Sequence, residues 1–281
     1  MRILDFFPFT ILLIIIIVVA LAVVARRRRD DEETEDPGIG TVRRLYFYIV
    51  SFVALMMAAN GVLLLVEYVL ESAADSVTVI SASQDRLALG LPLVLIGLAL
   101  WFFHWRWVQR AVREMPVERR SLIRKFYLYL VMGVAIAYLV GGAYVILQWA
   151  FRAEDFNGFP WGAVIAFGGV WAFHWRLESA EGQATSETRG LRRLYLYLVS
   201  LVTLSLLAIG VGRALHIVLL QAYDALVSTP IIVPSQGGLW KPAMKDMLAL
   251  AIAGGAAWGA HWFYFARRDA GSELRQVYLY V

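Results

Sequence analysis

Seven long runs without an Asp, Glu, Lys or Arg dominate this chain of 281 residues. They are Phe6–Ala25, Leu45–Val66, Leu87–Trp105, Phe126–Phe151, Phe156–Trp175, Leu194–Gly212 and Met247–Ala266. Each is close to the ~20 residues a helix needs to cross a bilayer's hydrocarbon core. Hydrocarbon offers no partner to a free amide or carbonyl, so a spanning segment must pair its own backbone, as a helix does. The expected fold is therefore all-α: a polytopic transmembrane protein with seven complete transmembrane helices. Hydrophobic residues make up 60% of the chain, above the roughly 45–50% of soluble proteins. There is no cysteine, which excludes disulfides and thiolate metal sites.

The first apolar run is too long for the core of a cleaved signal peptide, and Arg26–Arg29 follow it as a stop-transfer signal. Residues 1–29 are read as a retained anchor. Residues 30–41 form an acidic linker, with six carboxylates and Pro37, a composition typical of a solvated spacer. With Arg26–Arg29 in the cytoplasm and sides alternating, cytoplasmic segments hold twenty Lys and Arg and outer loops four. That asymmetry orients the chain with its N-terminus outside. The basic residues thus encode topology, and nucleic acid is not an expected partner. The expected location is a bacterial inner (plasma) membrane, and the expected partners are the lipid bilayer and other membrane proteins.

Behind the anchor the sequence repeats. Arg43-Arg44-Leu45-Tyr46-Phe47-Tyr48, Arg124-Lys125-Phe126-Tyr127-Leu128-Tyr129 and Arg192-Arg193-Leu194-Tyr195-Leu196-Tyr197 each open an apolar run. A Trp-x-x-His-Trp phrase closes the run that follows: Trp101, His104 and Trp105; Trp171, His174 and Trp175; Trp258, His261 and Trp262. Self-similarity of this kind marks an array of supersecondary units. The units are two-helix hairpins over 42–110, 123–178 and 190–268. Residues 273–281 open a fourth, and the natural chain is expected to continue past Val281 into an eighth helix. The Arg-Arg-Leu-Tyr-Leu-Tyr-Leu-Val-Ser run at Arg192–Ser200, with His-Trp-Arg closing hairpins, resembles an uncharacterised bacterial multi-pass family, domain of unknown function 5671. The resemblance covers about residues 43–281 and implies architecture but no activity. The third copy departs from the pattern, with Phe263 where the others have Arg106 and Arg176.

Three of the four histidines lie in the repeated phrase. The first Trp and the His share a helix face, and the phrase falls at the cytoplasmic edge, where tryptophan is enriched. One reading is an aromatic belt with contacts between repeats, the Tyr-x-Tyr pairs meeting the His-Trp pairs. Another is haem or chlorin ligation by the imidazoles. No carboxylate recurs beside the phrase, so a zinc site is not expected. Neither a Ser/His/Asp set nor a Gly-rich phosphate loop is present.

Two further positions recur. Glu67, Gln148 and His216 each stand 21 residues after the first Tyr of a repeat, near the outer interface, with Arg213 one turn before His216. Ionisable groups at such depths are candidates for function. These four are read as a possible outward-facing polar site for a lipid headgroup, quinone or ion. Gly61, Gly142 and Gly210 stand 15 residues after the same Tyr, and are expected to let helix backbones approach closely. Three functions follow as expectations. The first is a non-catalytic structural or accessory subunit, not an enzyme and without a cofactor. The second is a transporter or channel using the polar residues. The third is a haem- or chlorin-bearing electron-transfer or pigment subunit.

Overall fold

A computed structural model describes residues 38–74, 80–182, 185–227, 241–268 and 273–280. The expected anchor and most of the acidic linker lie outside the described residues. The regular elements described are all helical. The α-helices are α1 Gly38–Ala73, α2 Ile80–Glu114, α3 Leu122–Ala150, α4 Phe159–Glu181, α5 Ser186–Val227, α6 Pro242–Tyr264 and α7 Glu273–Tyr280. Short 3-10 turns lie at Pro116–Arg120 and Ala266–Arg268. Helix α1 begins at Gly38 and so takes in the end of the segment read as linker.

Four helices contain segments long and apolar enough to cross a membrane: Arg43–Ala73, Gln84–Glu114, Leu122–Ala150 and Ser186–Val227. Helices α4 and α6 have 23 residues each and are not in that group. Charges at the end of α4 and the start of α6 shorten their apolar parts, which use Trp, His, Gly and Ala where the other four use mainly Leu, Ile and Val.

Local chemistry sets the helix ends. Met115 is extended (φ −128°, ψ 101°) before Pro116, the conformation that proline imposes on its predecessor. Gly182 takes φ 69° just past α4, and its N–H reaches the Glu178 carbonyl at 3.1 Å, a glycine stop. Thr185 and Thr188 exchange backbone-to-hydroxyl bonds of 3.2 and 3.1 Å at the start of α5, pairing amides that a helix N-terminus leaves free. The Asn157 side chain accepts from the Phe159 N–H at 2.8 Å ahead of α4.

The described residues fall into two compact units, one of those up to 139 and within 162–192, the other of those within 140–161 and from 193 on. In the first unit, α1 and α2 pack along glycines. A Cβ on Gly97 would meet the Ala58 backbone N at 2.6 Å, and one on Gly61 the Val94 N at 2.7 Å. Helix α4 meets α1 at Gly162, where a Cβ would fall 2.5 Å from the Leu63 carbonyl. Leu128, Val131, Met132, Ala135 and Phe167 are fully enclosed, and Tyr138 stacks on Phe167 at 3.8 Å. In the second unit, α5 and α6 meet at Gly210 and Gly254. A Cβ on Gly210 would fall 2.6 Å from the Ala251 N, and one on Gly254 2.8 Å from the Leu207 N.

Candidate functional site

Each repeated histidine is fixed by its own helix. The Nδ1–H of His104, His174 and His261 donates to the carbonyl four residues back, at 2.8, 2.8 and 2.9 Å. Carbonyls only accept, so this bond places a proton on Nδ1. Each ring then faces the first Tyr of its own hairpin at nearly the same geometry. Tyr46–His104 centroids are 6.0 Å apart at 63°, Tyr127–His174 5.8 Å at 57°, and Tyr195–His261 6.1 Å at 64°.

The second Trp of one hairpin reaches forward to the opening of the next. In the first unit Trp105 lies on Tyr127 (5.5 Å, 31°), and Tyr48 lies on the same ring (5.2 Å, 41°). In the second unit Trp262 lies on Tyr278 (5.0 Å, 27°), with Tyr197 beside it (5.6 Å, 41°). The Trp258 indole N–H donates to the Tyr278 hydroxyl at 2.9 Å. The leading basic residue of a following opening covers the same tryptophan. Arg124 stands over Trp105 at 5.5 Å, and Arg192 over Trp175 at 5.9 Å, cation–π geometry in both cases. Within a phrase the two indoles stack, Trp101 on Trp105 at 12° and Trp171 on Trp175 at 9°.

Burial reveals a feature that charge counting hid. Arg124 and Lys125 contribute to the cytoplasmic count, yet their side chains are 0% and 1% exposed. Their counter-charge is Glu181. Arg124 Nε reaches its two oxygens at 3.0 and 3.1 Å, and Lys125 Nζ lies 3.3 Å from Oε2. Arg124 also donates to the Tyr48 hydroxyl at 3.3 Å and to Gln109 at 3.4 Å. One turn before Glu181, the fully buried Glu178 accepts from the Tyr129 hydroxyl at 2.6 Å. Arg44 donates to the buried Glu118 at 2.7 Å. The sequence carried a signal for this cluster: His174, Glu178 and Glu181 stand at i, i+4 and i+7, one face of α4. Positions 108 and 111, and 265 and 268, hold no carboxylate, so the cluster belongs to the second hairpin alone.

The polar residues expected near the outer interface each have their own surroundings. Glu67 is buried and pairs with Arg86 at 3.1 Å, and Arg86 also pairs with Glu71. The Gln148 side-chain amide donates to Asp246 at 2.8 Å and to the Tyr144 hydroxyl at 2.9 Å. Lys245 donates to the Arg152 carbonyl at 3.1 Å. Arg213 and His216 lie on exposed parts of α5. Arg86 and Asp246, the charged partners here, do not recur between repeats, so repeat spacing passed over them. Of the recurring glycines, Gly61 and Gly210 stand at the close approaches described above, and Gly142 is buried in α3. Among the described residues no group of three or more His, Asp or Glu is placed to hold a metal ion.

These features define an all-helical protein with several helices apolar enough for a membrane, joined by aromatic and charged contacts. The family model described as Domain of unknown function (DUF5671) matches residues 44–157. The match takes in the first hairpin and the rising helix of the second, a shorter stretch than the residues 43–281 covered by the resemblance. No curated protein and no solved structure matches the chain.

Proposed function

We propose that the chain is a multi-pass integral membrane protein of a bacterial inner membrane and acts as a non-catalytic structural or accessory subunit. Its N-terminus lies outside, and an anchor precedes an array of two-helix hairpins with seven complete spans. The carrying observation is the position of the repeated aromatic side chains. Tyr127 is held between His174 of its own hairpin and Trp105 of the preceding one, 5.8 and 5.5 Å away. The motif that recurs most faithfully is therefore engaged in joining hairpins. Arrays of this kind stack by such nearest-neighbour contacts. Purification from native membranes, with mass spectrometry of what co-purifies, tests the role. A stoichiometric protein partner supports it. A chain that is fully monomeric in mild detergent and moves a solute in vesicles refutes it.

One observation favours a second reading, haem or chlorin ligation. An Nδ1–H donated to a carbonyl leaves Nε2 as the ligating atom, which is how metal-bound histidines are oriented. All three histidines are held that way. Against it, His174 Nε2 lies 3.5 Å from the Tyr127 hydroxyl, where the tyrosine occupies a ligand's approach. An absorbance spectrum of the purified protein separates the two readings: a Soret or chlorin band promotes the second.

A further inference from the structure

Helix α2 differs from the other long apolar helices in how little of it the protein covers. In its most apolar window 11% of residues are buried, against 39% in α1, α3 and α5. The side of α2 that carries Gly97 lies against α1. Nearly opposite, at spacings of seven, four and seven, stand Leu95, Phe102, Arg106 and Arg113. Such spacings keep side chains on one face. Leu95 is 68% exposed and Phe102 60%. Where this apolar stripe ends, Arg106, Arg110, Arg113 and Glu114 line an open groove of about 330 Å³. Glu114 pairs with Arg110 at 2.7 Å. Among the described residues no carboxylate pairs with Arg106 or Arg113, and these leave two positive charges of the groove uncompensated.

We propose that this face of α2 binds an anionic phospholipid, its phosphate in the Arg106–Arg110–Arg113 groove and its acyl chains along Phe102 and Leu95. The inference rests on the membrane reading above. The chemistry follows from the shape of the stripe, which is apolar along its length and cationic at one end, complementary to a lipid with a charged head. Guanidinium groups match phosphate oxygens in bidentate geometry. Each basic residue near an anionic leaflet contributes about 1 kcal/mol. Two uncompensated charges therefore correspond to roughly 25-fold in affinity.

The test uses the full chain, delipidated in mild detergent and titrated with phosphatidylglycerol, phosphatidylcholine or inorganic phosphate, with thermal stability as the readout. Phosphatidylglycerol is expected to stabilise the protein while the other two do not. The variant Arg106→Gln/Arg113→Gln, which removes the two unpaired charges and keeps the Arg110–Glu114 pair, is expected to need about 25-fold more phosphatidylglycerol for the same effect. Arg119→Gln/Arg120→Gln removes two exposed charges outside the groove and is expected to respond as the parent does. An unchanged response in the groove variant overturns the proposal. So does an equal loss in the Arg119/Arg120 variant, or equal stabilisation by phosphatidylcholine or free phosphate. Release of the parent chain from membranes by alkaline carbonate is a separate result, and it overturns the membrane reading instead.

Discussion

Replacing Glu181 by Gln leaves two buried cations without their counter-charge. The Arg124 and Lys125 side chains are 0% and 1% exposed, and Glu181 is 7% exposed. A guanidinium in that setting cannot shed its proton, and the residual bonds to Tyr48 and Gln109, at 3.3 and 3.4 Å, are long. Removing one partner of a buried ion pair costs about 3–5 kcal/mol. Here one carboxylate faces two cations, which points to the upper part of that range. At about 2–4 °C per kcal/mol for a chain near this size, the apparent Tm should fall by roughly 10 °C. The assay is thermal unfolding in a fixed detergent, followed by tryptophan fluorescence. A companion variant, Arg124→Met/Lys125→Met/Glu181→Met, removes the charges together and should recover most of the loss, because an apolar replacement carries no desolvation penalty. A fall of less than 2 °C for Glu181→Gln would show the cluster to be solvated and refute the reasoning.

Gly210→Leu should destabilise the second unit, since a Cβ there meets the Ala251 backbone at 2.6 Å, while Gly212→Leu, with nothing within 4 Å, should be tolerated; detergent thermostability compares them. Tyr127→Ala should cost about 3–5 kcal/mol as a large-to-small core change, but Tyr46→Ala under about 1 kcal/mol as a surface change, because Tyr127 is 2% exposed and Tyr46 55%. A similar loss for both in chemical denaturation would refute the sandwich geometry. Asp246→Ala leaves the Gln148 amide short of its 2.8 Å partner, at about 1–3 kcal/mol; Asp246→Asn, which keeps an acceptor oxygen, should restore most of it.

Helices were legible because apolar runs bounded by charges leave the backbone no alternative in hydrocarbon. The positions of the openings and of the closing phrases were legible too, as a basic pair with Tyr-x-Tyr and a Trp-x-x-His-Trp each recur three times. The buried cluster was not. Counting charges along a chain treats Arg124 like Arg119, because sequence position carries no information on enclosure. What encloses Arg124 is Glu181, 57 residues away, brought back by the α3–α4 turn. The pairs of Glu67 and Gln148 were missed for a related reason. Repeat spacing finds what recurs, and Arg86 and Asp246 each occur once.

Tyr46 and Tyr127 occupy the same place in the repeat, and each faces its hairpin's histidine at about 6 Å. Their burial nonetheless differs, 55% exposed against 2%. Among the described residues, Tyr127 is covered by Trp105 of the preceding hairpin and by Tyr48. Burial of this residue is thus a property of its neighbour in the array and cannot be read from the hairpin that carries it. Tyr278 on the short helix α7 likewise receives Trp262, Tyr197 and the Trp258 N–H from the preceding hairpin. The hairpin before an opening thus supplies part of what fixes it, beside the contacts of the opening's own hairpin such as Arg124–Glu181. Substituting Trp105 or Trp262 should therefore loosen the following opening more than the helix in which the tryptophan stands.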